Sequence, residues 1–212
     1  MVPAITGLSA EKYLEKPMKL LLENWREYLN EAAYEMSDLP PDTGIRIEQL
    51  GTKRTEISYI SDDPDSPIKG EIIIAIEPSS PCGGAWIMQW ANATDGWGPL
   101  LYDIAIEWAT WKGGGLVPDR GSVSKDARKI WDFYLNNRSD VQTHQLDDLE
   151  NTLTPEDEDN CDQHIATKST APVIGRFLSR DFASESNSMS KRYTKEPNML
   201  QKLMDAGRLV QK

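Results

Sequence analysis

The residues of this chain with the clearest chemical potential lie in a short turn between an apolar strand and a helix. Its sequence is Asp95-Gly96-Trp97-Gly98-Pro99. The two glycines let the backbone bend tightly and come close to a ligand, and Pro99 suits the start of a helix. Free N–H groups at a helix start can bind a phosphate. Residues Gly96, Trp97, Gly98 and Pro99 therefore predict either a phosphate-binding turn or a tight turn without a ligand.

Trp97 is one of several tryptophans that crowd the central part of the sequence. The others are at positions 86, 90, 108, 111 and 131, and most of them are expected in the core. Trp97 has no evident place inside the protein if the turn faces solvent. It is therefore a candidate for stacking on a ligand or docking against a partner.

Metal chemistry has a weaker basis in this sequence. Cys161 and His164 have a plausible spacing for metal ligands, but a four-ligand zinc site would also need Cys82 and His144 to converge from distant positions. The acidic run near them lacks the residue order of a calcium-binding loop. We predict no metal site.

The turn needs a sheet to position it, and the sequence predicts one. Residues 44–50 and 54–60 alternate apolar and polar side chains, as half-buried antiparallel strands do. Residues 71–76 are almost wholly apolar, which indicates a strand buried on both faces. Another strand begins at Trp86 and leads into the turn. A short strand at 116–117 follows the glycines at 113–115.

Three helices are predicted in the same region. The first begins at Pro17 and ends at Leu39, before a proline pair. The second covers residues 99–112. Its predicted apolar face consists of Leu101, Ile104, Ala105 and Trp108. The third follows Ser122 or Ser124 as its N-cap, with an apolar face of Ala127, Ile130, Trp131, Tyr134 and Leu135. Asp119 and Arg120 precede it, and they predict either a surface ion pair or a substrate contact.

Composition divides the chain into three parts. Residues 1–139 predict one mixed α/β domain. Residues 140–190 predict a mobile acidic extension, since residues 140–162 hold nine Asp or Glu and no Lys or Arg. Residues 191–212 carry six Lys or Arg and predict a short amphipathic C-terminal helix or arm. The net charge of −11 argues against general nucleic-acid binding, because neutralising phosphates needs clustered basic residues.

The sequence also bears on the compartment. We find no basic and apolar leader at the N-terminus and no apolar run near the ~20 residues of a membrane span. Two cysteines cannot form a disulfide framework, which favours a reducing compartment. These features predict a cytoplasmic protein without a membrane partner.

The order of elements resembles the GNAT superfamily of N-acetyltransferases over about residues 17–140. In that family the fold is α+β: a central, mainly antiparallel sheet is flanked by helices, and a strand enters a Gln/Arg-x-x-Gly-x-Gly/Ala turn that holds the pyrophosphate of acetyl-CoA. Gly96 and Gly98 match the two glycines. Segments 98–103, 118–120 and 123–124 are also similar to GNAT-like proteins of tailed bacteriophages.

The chain departs from the family pattern at several positions. Ala93 replaces the Gln or Arg, and Asp95 places a negative charge beside the phosphate position. The family often has a tyrosine that protonates the leaving thiolate of CoA, and Trp131 occupies that position here. An indole N–H cannot serve as a useful acid.

The resemblance also suggests replacements for the missing groups. Tyr134 lies three residues beyond Trp131 and is either a substitute acid or a core aromatic. Glu71 and Glu77 flank the buried strand. The resemblance makes them candidates for a general base, and the alternative is that they solvate the strand ends.

Two functions follow from these expectations. One is a catalytically degenerate GNAT-like protein that serves as a structural component of an assembly or homo-oligomer, for example as a virion component in a bacteriophage. It would contact other subunits through residues 140–212. The other is an acetyl-CoA-dependent N-acyltransferase that acts on an amine.

Overall fold

The computed structural model describes residues 34–76, 82, 84–120, 123–147, 153–161, 165–166, 180–181 and 184–212. The helix predicted from Pro17 lies outside these residues as far as residue 33. Its predicted end is described: Met36–Asp38 form a 3-10 turn, and Leu39 is extended. The chain leaves helical geometry there because the residue before a proline disfavours the helical conformation.

Eight of the described strands form one sheet in the order β10-β1-β2-β3-β4-β5-β9-β6. Their bounds are β1 Thr43–Gln49, β2 Arg54–Ser61, β3 Gly70–Ile76, β4 Trp86–Ala93, β5 Leu116–Val117, β6 Gln142–Gln145, β9 Lys191–Thr194 and β10 Leu209–Gln211. A separate ribbon pairs β7, Ile165–Ala166, with β8, Arg180–Asp181. The protein is mixed α/β and consistent with the predicted α+β class.

Strands β1 to β4 form the antiparallel half of this sheet, with each strand paired to the next in sequence. The predicted hairpin strands are confirmed. Their inward faces supply much of the core, where isoleucines of β1, β2 and β3 are at most 1 % exposed: Ile45, Ile47, Ile57, Ile72 and Ile74. The prediction that β3 is buried on both faces is only partly right, because Ile73 is half-buried.

The sheet changes direction at β4. Strand β5 pairs with β4 in parallel, and the pairing covers only Trp86 with Leu116 and Ile87 with Val117. Beyond Ile87, no described strand pairs with β4 on its β5 side. The sheet therefore opens along residues 88–93, just ahead of the turn.

Three helices are described: α1 Gly98–Lys112, α2 Lys125–Asn137 and α3 Asn198–Asp205. Ser124 caps α2 and accepts a hydrogen bond from the amide of Ala127 at 3.0 Å, which confirms one of the two predicted caps. Helix α1 packs against β3, β9 and α3. Every residue from 100 to 109 is buried, and not only the predicted apolar face.

The C-terminal residues complete the main sheet, and the predicted boundary at 139/140 is not a boundary of the fold. Strand β9 lies between β5 and β6, while β10 pairs in parallel with β1 at the opposite edge. The guanidinium of Arg208 fixes this edge by donating to the carbonyl oxygens of Thr43, at 2.8 Å from Nε, and of Pro40. The predicted C-terminal helix exists as α3, but residues 191–211 do not form an extended arm.

A long acidic insertion separates β6 from β9, and a disulfide holds part of it. Cys82 and Cys161 are bonded to each other across 79 residues of sequence. This bond removes the basis on which a reducing compartment was predicted. No helix among the described residues is long and apolar enough to cross a membrane.

Candidate functional site

The turn between β4 and α1 is fixed by Thr94. Its amide donates to the carbonyl of Lys69 at 2.8 Å, and its hydroxyl accepts from the Lys69 amide at 3.0 Å. The amide of Trp97 in turn donates to the carbonyl of Thr94 at 3.0 Å. Gly96 has a φ of +82°, a conformation that side-chain-bearing residues rarely adopt. The first predicted glycine is therefore required by the turn itself.

Trp97 does not face solvent, so the prediction of a ligand-stacking or partner-docking tryptophan is wrong in its premise. It is only 6 % exposed. Its ring stacks on Tyr34, with ring centroids 4.4 Å apart, and Tyr59 meets it edge-on at 5.8 Å. The Tyr59 hydroxyl donates to the Trp97 carbonyl at 2.7 Å. Burial raises the pKa of Tyr59, which keeps this donor protonated.

The first turn of α1 offers fewer amides than the sequence predicted. The Trp97 amide is used by Thr94, and Pro99 has no N–H. Gly98 and Leu100 keep amides that have no intrahelical acceptor by position. A Cβ built on Gly98 would come no closer than 3.9 Å to any atom, that atom being Cβ of Ala93. The second glycine is therefore not demanded by packing, and there is space beside it.

Tyr134, the predicted substitute acid, is held inside the protein. It is 1 % exposed, and its hydroxyl donates to Oδ1 of Asp103 at 2.7 Å, with the carbonyl of Pro99 at 3.3 Å. Burial, with the neighbouring Asp103 carboxylate, raises the pKa of Tyr134 well above its usual range. A hydroxyl in this position holds its proton strongly and already has an acceptor.

Trp131 belongs to the same buried group of aromatic rings. Its ring centroid lies 4.8 Å from that of Tyr193 and 5.5 Å from that of Tyr102. Trp131 is 1 % exposed, and Tyr193 is fully buried. Tyr193 donates to the carbonyl of Ser188 at 2.8 Å. Trp131 therefore helps to pack strand β9 against helix α2.

A partly buried charged cluster lies beside Tyr134, and the sequence did not predict it. It consists of three carboxylates and two cations: Asp103, Glu107, Asp140, Arg138 and Lys195. Lys195 Nζ lies 3.0 Å from Glu107, 3.4 Å from Asp103 and 3.6 Å from Asp140. Arg138 bonds Asp103 at 3.0 Å and Asp140 at 2.7 Å. Hydrogen bonding from Arg138 lowers the pKa of Asp140 to about 2.

Glu107 links this cluster to helix α3. It is 0 % exposed, and its carboxylate accepts from the amide of Met199 at 2.8 Å and from that of Leu200 at 2.8 Å. These amides belong to the first turn of α3, where a negative charge is favourable. Pro197, at the N-cap position, provides no side-chain cap. A signal existed in the sequence: Asp103 and Glu107 are acids four residues apart in an otherwise apolar helix, so they share a face.

Of the two predicted bases, Glu71 is among the described residues. Glu71 pairs with Asn92 across β3 and β4. It alternates with Ile72 and Ile74, so it lies on the sheet face opposite to the core that packs on α1. Glu77 lies outside the described residues.

Two other groups of residues singled out from the sequence are the ion pair at 119–120 and the candidate metal ligands. Arg120 is 1 % exposed and is therefore buried, not at the surface as the predicted ion pair required. Cys161 is committed to its disulfide, and His164 lies outside the described residues. Among the residues that are described, no three His, Cys, Asp or Glu side chains group in a way that could hold a metal ion.

Comparison with known proteins adds nothing to these observations. No family model, curated protein or solved structure matches the chain.

Proposed function

We propose that this chain is a GNAT-like protein that no longer catalyses acyl transfer and serves as a structural component of an assembly. The resemblance rests on the element order, on Gly96 and Gly98, and on a sheet that opens ahead of the α1 start. Four antiparallel strands followed by a parallel β4–β5 contact of two residue pairs are compatible with it. A role in a bacteriophage virion rests on the similarity of segments alone.

The main support for the proposed loss of catalysis is the environment of the Tyr134 hydroxyl. An acid for the thiolate of CoA must reach the leaving sulfur and release a proton near neutral pH. The Tyr134 hydroxyl is buried, donates to Asp103, and has its pKa raised. Trp131, at the position of the family's tyrosine, is a donor that cannot act as an acid, and it is packed among aromatic rings.

The turn fits acetyl-CoA only in part. Gly98 and Leu100 could offer amides to a pyrophosphate, and the space beside Gly98 would admit a close approach. The Trp97 amide is already used, and the exposed Asp95 adds negative charge next to the turn. The space at Gly98 is the observation that favours the alternative, an acetyl-CoA-dependent N-acyltransferase.

The surface that we assign to assembly is the acidic insertion between β6 and β9. Residues 191–211 are used within the chain's own fold, and so are Leu146, Asp147 and residues 188–190, which are buried. The assignment therefore rests on the exposed residues 155–158 of the insertion. In its described part, Glu156, Asp157 and Glu158 are exposed. Exposed carboxylates in a row favour a partner surface that carries basic side chains, and we propose a second copy of this chain as that partner.

Sedimentation velocity over a range of protein concentrations tests this assignment. We expect reversible self-association that weakens with added salt and weakens further in the variant Asp157→Asn with Glu158→Gln. The matched control is Asp62→Asn with Asp65→Asn, which removes the same charge from another exposed loop. A monomer at all concentrations, or equal effects of the two variants, would contradict the assignment.

A further inference from the structure

One described segment of the acidic insertion, residues 153–161, buries very few of its side chains. Cys161 is 2 % exposed, and it is the only buried residue of the nine. The one large apolar side chain, Leu153, is 37 % exposed. The segment therefore has almost no apolar burial to hold it against the sheet.

The first anchor of this segment is Asp147, which is fully buried. Its carboxylate accepts from the amides of Leu153, at 2.6 Å, and Thr154, at 2.9 Å. Its backbone exchanges hydrogen bonds with Asp159 at 3.1 Å and Cys161 at 3.0 Å. When the segment opens, water replaces these bonds, so only their net contribution of about 1.5–3 kcal/mol for each bond to the charged carboxylate holds it in place.

Like charges oppose this anchor. Residues 156–159 are four consecutive carboxylates, and the amide of Asp147 donates to the carbonyl of Asp159 within this run. Burial raises the pKa of Asp159, and the nearby Asp147 and Glu156 charges act in the same direction. The charges therefore favour opening of the segment.

The second anchor is the disulfide. Cys82 is 1 % exposed and lies just ahead of β4. Its carbonyl accepts a hydrogen bond from the amide of Ala85 at 3.1 Å. Ala85 belongs to a small apolar cluster with Ile87, Val117 and Leu146. The bond thus ties the segment to the sheet next to the strand that leads to the turn.

We propose that the Cys82–Cys161 disulfide is a redox latch on residues 153–161. When it is oxidised, the segment is held on the sheet; when it is reduced, the segment opens while the rest of the fold persists. The reductant is a small thiol. Its thiolate attacks one sulfur as the segment opens transiently, the S–S bond breaks, and a mixed disulfide forms. A second small thiol then displaces the remaining cysteine. Two thiols are thereby oxidised to one disulfide, and Cys82 and Cys161 each gain an electron and a proton.

This inference does not depend on the acyltransferase resemblance or on the proposed assembly. Amide hydrogen exchange of the full chain tests it under three conditions: oxidised, reduced with excess glutathione, and re-oxidised. The variant Cys82→Ser with Cys161→Ser serves as a permanently open form. Residues 100–109 of α1 are the internal control, because they are buried throughout.

We expect reduction to speed exchange in 153–161 by at least about tenfold and to leave residues 100–109 unchanged. Re-oxidation restores protection, and the double variant exchanges quickly whether or not thiol is present. Equal exchange in the oxidised and reduced states would overturn the proposal. It would also be overturned by a rise of similar size in residues 100–109, which would make the bond a staple of the whole fold. Two free thiols in the air-purified protein would overturn it as well. If the double variant does not fold, the reduced wild-type chain gives the same readout.

Discussion

Replacing Glu107 should release the C-terminal helix from the core. The Glu107 carboxylate faces Lys195 Nζ at 3.0 Å and accepts from two amides of α3. In Glu107→Ala, Lys195 loses one of its buried counter-charges, and both amides lose their acceptor. Removing one member of a buried charge pair costs about 3–5 kcal/mol. In Glu107→Gln, the volume and one acceptor oxygen are retained, but the charge is lost. The contribution of each hydrogen bond then falls from about 1.5–3 kcal/mol for a charged acceptor toward about 0.5–1.5 kcal/mol for a neutral one.

Urea denaturation followed by tryptophan fluorescence measures the loss of stability. A domain of this kind has roughly 5–15 kcal/mol of unfolding free energy, so the glutamine variant should remain folded. The control is Lys129→Met, because the Lys129–Asp126 pair is exposed, with side chains 49 % and 87 % accessible. That change should cost less than about 1 kcal/mol.

Hydrogen exchange places the effect. The loss of protection in Glu107→Gln should be largest in residues 198–205, the helix that Glu107 caps. A loss no larger than that of Lys129→Met, or unchanged protection in 198–205, would refute the reasoning that this carboxylate holds the C-terminal segment.

Two further predictions concern the turn and the acid limit of stability. Gly96→Ala should destabilise the protein by about 1–2 kcal/mol because Gly96 has a φ of +82°. Gly98→Ala should be nearly neutral because the new Cβ would meet nothing closer than 3.9 Å. Thermal unfolding compares the two variants, and equal losses of stability would contradict this account of the turn. The pKa of Asp140 is lowered from 3.8 to about 2, so its contribution to stability is complete above its ordinary pKa and is lost as the pH falls toward about 2. Asp140→Asn should therefore flatten the dependence of the unfolding free energy on pH in that window. An unchanged slope of that dependence would argue against the bond to Arg138.

The local elements were predictable because their signals are local. Alternation gave β1 and β2, and the 3.6-residue period gave α1. A serine at the right offset gave the cap of α2. Each of these signals depends on residues within one or two turns of the chain.

The failures came from contacts between distant residues. Trp97 looked exposed because nothing near it in sequence shows that Tyr34 and Tyr59 enclose it. The bond between Cys82 and Cys161 spans 79 residues, and two cysteines carry no pairing signal. Such contacts are set by the assembled fold.

The C-terminal part was misread for the same reason. Residues 191–194 have a basic, polar composition, yet they form β9 between β5 and β6. Amino-acid composition indicates whether a segment is compatible with exposure to solvent. It does not indicate between which two strands a further strand will pair. Glu107 and Lys195 pair at 3.0 Å just beyond this strand, although they lie far apart in the sequence.

Titration of the chain with acetyl-CoA, followed by calorimetry, tests the proposed loss of catalysis most directly, with Gly98→Ala and Gly98→Glu as a matched pair. The degenerate reading predicts no saturable heat in the sub-millimolar range for the wild type or for either variant. Saturable binding that survives in Gly98→Ala and disappears in Gly98→Glu would contradict it and would establish the turn as a cofactor site.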